Sequence, residues 1–388
     1  LAAELGIELD DLADEEPGIR TETWHFGGRQ RSDAEVVEAF RPVAARIEAA
    51  LAHLDDDAEI TYRTPQGLEA IDRMTLAEWL DASEIDPWFR DLLDIAYTTE
   101  YGREIDEQSA LNLLWMIDPN PDPFLIFGES DERFHVRGGN DLIPGELARR
   151  LESHIETGHV LEAVSARAGG GYTASFRKGE TSVEVAADQL VFALPFTLLR
   201  EVKLDVELPE VKRRAIDELG YGTNAKLMIG FDSRPWRTEH HANGSALSDL
   251  PFQLCWETSR KQAGAAGILT NFTGGRHGLE IGGGTAADQA AQAVAEIEKV
   301  FPGVAAARAG MTEARFHWPS NPWVKGSYAC YLPGQWTSIC AAEGEPVGEL
   351  YFCGEHCSLP AQGYMEGGCE TGEGVAAAIL ASRGRAAA

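Results

Sequence analysis

GELYFCGEHCSLPAQGYMEGGCETGEGVAAAILASR, residues 348–383, is the stretch around which the rest of the chain is organised. The apolar run Leu350-Tyr351-Phe352-Cys353 predicts a buried strand that stops at Gly354-Glu355. A short loop with Pro360 and Gly363 follows. The Ala-rich run from Tyr364 to Leu380 then predicts a helix, with glycines at 367, 368, 372 and 374. Strand, glycine turn and helix start together make an anion site, because free backbone N–H groups and the helix dipole point at whatever lies there. Glycines early in the helix let another backbone or a flat ring system approach closely.

A chain of 388 residues fits two domains, or one large domain with insertions. Its hydrophobic fraction of 44% supports a large core, and no apolar run reaches the roughly 18 residues of a membrane span. No signal-peptide pattern stands at Leu1. The formal net charge of −30, from 63 acidic against 33 basic residues, argues against nucleic-acid backbone as a partner and suits a soluble protein. It permits a pull on a cationic amine, but bulk charge does not locate a site. Cys353-x3-Cys357 around His356 invites a metal reading. No second Cys/His pair has zinc spacing, so the six cysteines are expected to be free thiols and no metal is expected. The compartment stays open between cytoplasm and export.

Residues 1 to about 130 read as mainly helical. Leu1–Leu12 has a helix-like pattern, and Ser32-x-x-Glu35 is a capping box ahead of Val36, Phe40, Val43, Ile47 and Leu51 at helical spacing, with Pro42 expected to kink that helix. Further helices are predicted at Thr75–Leu80, Pro87–Thr98 and Asp106–Met116. After Gly138-Gly139, a helix over LIPGELARRLESHI leads into strands at Val160–Val164, Tyr172–Arg177, Ser182–Val185 and Gln189–Leu194. Tyr221–Phe231 alternates as a strand with Lys226 near its start, where spacing alone favours a solvent-facing or edge lysine. Gly282-x-Gly284-x-x-Ala287 fits a dinucleotide fingerprint in letters only. No strong apolar strand precedes it and no acidic partner follows at the required distance, so a loop and an amphipathic helix are expected.

The GEH-x-S motif from Gly354, with GYMEG from Gly363 and Gly372-Glu373 after it, resembles the C-terminal signature of the flavin-dependent amine oxidases, which include monoamine, polyamine and L-amino acid oxidases. Gly138-Gly139, Val160, Val164 and Ala193-Leu194-Pro195 are similar to that family's middle segment. Gly222-Thr-Asn-x-Lys226 and W-x(7)-G-S-Y-x(2)-Y-x-P from Trp318 are similar to its two further signatures. The resemblance implies FAD held by Val164, Trp318, Gly354, Glu355, Gly363, Tyr364 and Met365. It implies that Lys226 holds a water beside flavin N5, and that Tyr328 and Tyr364 wall an aromatic cage that guides a neutral amine. Ser327 stands where some members attach FAD through cysteine, which implies non-covalent FAD.

The resemblance also implies an α/β (mixed α+β), two-domain architecture. The FAD-binding domain would take 134–215 and 321–388, and the substrate domain 1–133 and 216–320. The family's opening βαβ unit, with G-x-G-x-x-G on the pyrophosphate, is not in this sequence. A second chain or a missing segment is expected to supply it, and the chain alone is expected to be poorly stable. The implied reaction oxidises an amine to an imine, which hydrolyses to a carbonyl, with oxygen as acceptor giving hydrogen peroxide. An L-amino acid oxidase is the alternative and would need an arginine for the carboxylate. A non-catalytic subunit or pseudoenzyme of a heteromer is the alternative of another class. A homodimer of the assembled enzyme is a further expectation.

Overall fold

The computed structural model describes residues 1–386 apart from 14, 56, 57, 129 and 131. Its largest sheet has seven strands, in the order Arg308–His317, Ala225–Phe231, Gly267–Thr273, Leu254–Glu257, Ala246–Ser248, Trp24–Phe26 and Arg29–Arg31. Neighbours are antiparallel except Ala246–Ser248 with Trp24–Phe26. The period-2 alternation of the Lys226 strand decides which face is covered. Ala225, Leu227, Ile229 and Phe231 are buried and pack with Ala290, Val294 and Ile297 of helix Ala286–Ile297. The opposite face carries Lys226 and Met228, which stay partly open.

A second, larger core joins helices Asp33–Leu51, Leu76–Asp81, Pro87–Tyr101 and Leu111–Met116 to Val164, Phe192, Phe196 and Phe352. Val160–Ala166, Tyr172–Lys178 and Thr181–Ala187 form the expected antiparallel meander. Lys203–Asp205 adds to it as a parallel edge that the sequence did not announce. Leu350–Phe352 pairs in parallel with Leu190–Phe192, so the predicted C-terminal strand exists and is fully buried. The helix after it runs Met365–Ala386.

The N-terminal third is less helical than its sequence predicts. The first helix covers only Ala2–Leu5, and Leu9–Asp11 pairs with Phe134–Val136. Trp24–Phe26 and Arg29–Arg31 form a hairpin across Gly27-Gly28, both at positive φ (63° and 73°). Two such residues between short strands are the standard requirement of a tight hairpin turn. The helix expected over Asp106–Met116 begins only at Leu111, because Gln108 and Ser109 bond across chain segments: Leu76 N–H donates to Gln108 O at 3.0 Å and Ser109 N–H to Tyr331 O at 3.0 Å. The Ser32/Glu35 capping box is present, and helix Asp33–Leu51 continues through Pro42. The segment before Gly282 is a helix, Gly275–Glu280, so the fingerprint-like glycines belong to no βαβ unit.

Candidate active site

Lys226 projects from the uncovered face of the large sheet. Strand register sets Phe316 and Phe272 on either side of it, with Leu254 beyond Phe272. Its ammonium lies 5.5 Å from the ring centroids of both Trp256 and Phe272. The side chain reaches solvent, yet the protein around it lowers its pKa through burial, against the opposing pull of Glu132. Its strand lies between two others, so the lysine is exposed on a sheet face and does not stand on an edge.

Tyr328 and Tyr364 come to this region from separate loops, and the end of helix Pro87–Tyr101 holds both. The Tyr328 hydroxyl donates to the Glu100 carbonyl at 2.5 Å, and the Tyr364 hydroxyl donates to the Glu100 carboxylate at 3.3 Å. Burial raises the pKa of both phenols, with Glu100 the next influence, so both are neutral donors at ordinary pH. Glu355 ties the two loops together, accepting from Ala329 N–H at 3.2 Å and Gly363 N–H at 2.8 Å, each residue being next in sequence to one of the tyrosines. Burial raises the Glu355 carboxyl to about 7 although both backbone bonds lower it. The Ser327 hydroxyl donates to Asn224 Oδ1 at 2.6 Å, and Asn224 in turn donates to Thr99 O at 2.6 Å. The helix end that carries Glu100 is thereby fixed from two directions.

The start of the C-terminal helix has the features a flat cofactor with a polar edge requires. Gly354 sits at φ 139°, and a Cβ there would meet the His356 ring at 2.7 Å. Its N–H donates to Thr371 Oγ1 at 3.0 Å, which fixes the turn against the helix. Gly367 packs so closely that a Cβ would meet Ala361 O at 2.2 Å. At Gly368 and Gly372, one turn apart, a Cβ would by contrast find nothing within 4 Å, so that side of the helix is bare and open. His356 Nε2 and Gln362 Nε2 are buried without a hydrogen-bond partner, and burial keeps His356 neutral by lowering its pKa to about 3. Met365 is exposed, and Asn140, just after Gly138-Gly139, donates to its sulfur at 3.7 Å. These residues fit a flavin by their orphaned polar atoms and by the open glycine side.

The other two residues of the expected site lie apart from each other, Trp318 next to the Lys226 strand and Val164 in strand Val160–Ala166. Trp318 begins a 3-10 turn after strand Arg308–His317, its ring 4.1 Å from that of Phe316, the cross-strand neighbour of Lys226. Val164 is fully buried. It lines an apolar cavity of about 420 Å³ with Val160, Leu161, Leu190–Leu194, Pro322 and Trp323, beside the parallel strand pair. Sequence reasoning missed Glu100 and Glu132. A glutamate in a helix carries no signal of its own, and only the bond to Tyr364 reveals the first. Among the described residues, no group of three His, Cys, Asp or Glu side chains is placed to hold a metal ion. The six cysteines are free thiols.

A sequence model of the family described as flavin containing amine oxidoreductase matches residues 1–380. The chain belongs to this family, whose cofactor is FAD. An L-amino acid dehydrogenase of Synechocystis sp. is 26% identical over 328 residues, 84% of this chain and 67% of that protein. A flavin-containing amine oxidase of Danio rerio is 24% identical over 333 residues, 84% of this chain and 62% of its own length. This chain thus spans about two thirds of the length of either relative. Among solved structures, putrescine oxidase bound to putrescine superposes with TM-score 0.80 at 17% identity, covering 98% of this chain and 84% of that one. Cyclohexylamine oxidase from Brevibacterium oxydans does so with TM-score 0.78 at 19% identity and the same coverage. The fold is therefore that of the two-domain amine oxidases. Among the described residues, no helix is long and apolar enough to cross a membrane.

Proposed function

We propose that the chain forms the substrate and flavin-edge portion of an enzyme that oxidises a small amine to an imine, with oxygen as acceptor and hydrogen peroxide as product. The observation that carries this is the pair of tyrosines anchored on one glutamate; an exposed, desolvated lysine and a glycine-lined helix start support the same reading. When bound, the flavin supplies the two-electron acceptor for the C–H bond beside the amine nitrogen. Tyr328 and Tyr364 orient the amine, and their ring faces favour its nitrogen electrostatically. Lys226 holds a water beside the reacting centre, where burial disfavours its charged form. Gly354, Glu355, Gly363 and Met365 shape the cofactor edge, with Trp318 and Val164 further along it. Ser327 offers no thiol for a thioether bond, so the FAD is held non-covalently.

We assign 134–215 and 321–388 to the FAD-binding side and 1–133 and 216–320 to the substrate side. A second chain or further segment supplies the phosphate-binding βαβ unit, and the assembled enzyme is a homodimer. Oxidation of an L-amino acid is the second reading, favoured by the Synechocystis relative. The test is the visible absorption spectrum of the purified natural protein, followed by anaerobic addition of amines and L-amino acids. Flavin bands that bleach with an amine support the proposal. Bleaching by amino acids alone supports the second reading. A protein that takes up no flavin, even with FAD added, overturns both and leaves a non-catalytic subunit.

A further inference from the structure

The Glu100 carboxylate sits at the tyrosine pair with no cation to balance it. Tyr364 Oη is its one hydrogen-bond donor among the described residues, at 3.3 Å, and no arginine or lysine pairs with it there. Burial raises its pKa to about 7, and the nearby Glu132 carboxylate raises it further. Glu132 also acts on Tyr328, Tyr364 and Lys226, so it lies within electrostatic reach of both the tyrosine pair and the lysine. A half-buried, desolvated carboxylate without a counter-ion is costly unless a cation meets it. The unpaired charge thus leaves room for a cationic ligand group.

Resting on the amine-oxidising reading, we infer that Glu100 is the specificity-determining residue of this site: it pairs with a second, protonated nitrogen of the substrate, so the enzyme takes α,ω-diamines or similarly dicationic amines in preference to monoamines and rejects L-amino acids. The reacting nitrogen lies between the tyrosines as a free amine, and the distal ammonium meets the Glu100 carboxylate. An L-amino acid would instead bring a carboxylate toward Glu100 and Glu132, where like charges repel. The net charge of −30 favours the same ligand sign at long range.

The test compares kcat/KM for 1,4-diaminobutane, 1-aminobutane and L-ornithine with the flavin-loaded enzyme and its Glu100→Gln and Glu100→Asp variants. Equilibrium binding of 1,4-diguanidinobutane, which stays doubly protonated and is not turned over, gives a second readout. Loss of one partner of a buried charge pair predicts that E100Q lowers the diamine-to-monoamine ratio about 30-fold and weakens the diguanidine by a similar factor. E100D should keep most of both. A wild-type enzyme that oxidises monoamines as well as diamines, or prefers L-ornithine, overturns the inference, as does an unchanged ratio in E100Q. If E100Q does not fold, Glu132→Gln must reduce the same ratio, and no change there is equally decisive against it. Absence of turnover with every amine defeats the amine-oxidising reading itself, a separate result.

Discussion

Glu355 accepts the Gly363 N–H at 2.8 Å with one carboxylate oxygen while its other oxygen takes the Ala329 N–H at 3.2 Å. One side chain from the turn after the buried C-terminal strand therefore sets the spacing of Tyr328 and Tyr364. Glutamine cannot replace it, because its NH₂ would face one of two N–H donors. Glu355→Gln should lower the rate of flavin reduction by amine about 10-fold, from the ~1.5–3 kcal/mol of a charge-assisted bond. Stopped-flow reduction checks this, and wild-type rates in the variant would remove Glu355 from the positioning of the tyrosines.

Gly363 has φ 85°, and a Cβ there would lie 3.5 Å from the Tyr328 ring. The space is ordinary contact, so the penalty comes from the backbone. Gly363→Ala should destabilise the protein by about 1–2 kcal/mol through the left-handed conformation. Thermal unfolding of the flavin-loaded protein is the measurement, and an unchanged Tm would show that the turn adapts at no cost.

Asp72 is buried and joins three segments. Its Oδ1 accepts from Ser109 Oγ at 2.9 Å, and its Oδ2 accepts from Thr337 N at 2.8 Å and Thr337 Oγ1 at 2.7 Å. Asp72→Ala would strand these donors and should cost about 3 kcal/mol or more. Denaturant unfolding would show a lower midpoint at similar slope. A shift below about 1 kcal/mol would mean that water replaces the carboxylate.

Lys226 stands on a strand whose other face makes the core, so its loss should leave the fold intact. Lys226→Met is expected to slow the step it assists by roughly 10²-fold, the low end of acid–base contributions, with little change in Tm. Rapid-mixing measurements of flavin reduction and reoxidation would locate the step. Unchanged rates in both would remove Lys226 from the mechanism.

The parts of the site legible in the sequence are those whose residue types carry their own constraint. Gly354 and Gly363 need backbone conformations that other residues resist, and Lys226 and Tyr328 sit in ordered motifs. The C-terminal strand and helix follow from local pattern alone. The hairpin at Gly27-Gly28 had a local signal too, but its strands are three residues each, too short for alternation to show. Glu100 had no such signal. In sequence it is one acidic residue among 63, and its meaning comes from tertiary packing that brings Tyr328 and Tyr364 onto one helix end.

That same carboxylate sets a pH dependence. Burial and then Glu132 raise Glu100 to about 7, with the hydroxyls of Tyr364, Tyr328, Tyr101 and Tyr97 as the other titratable groups around it. Below about 7 Glu100 is protonated and offers a distal ammonium no charge; above it the carboxylate forms. The ratio of kcat/KM for 1,4-diaminobutane over 1-aminobutane should therefore climb as pH rises to about 7 and level off beyond. Taking the ratio cancels deprotonation of the reacting amine, which both substrates share. In Glu100→Gln the inflection should vanish. A flat wild-type ratio would mean that Glu100 does not meet the distal nitrogen, while an inflection that persists in the variant would assign it to Glu132.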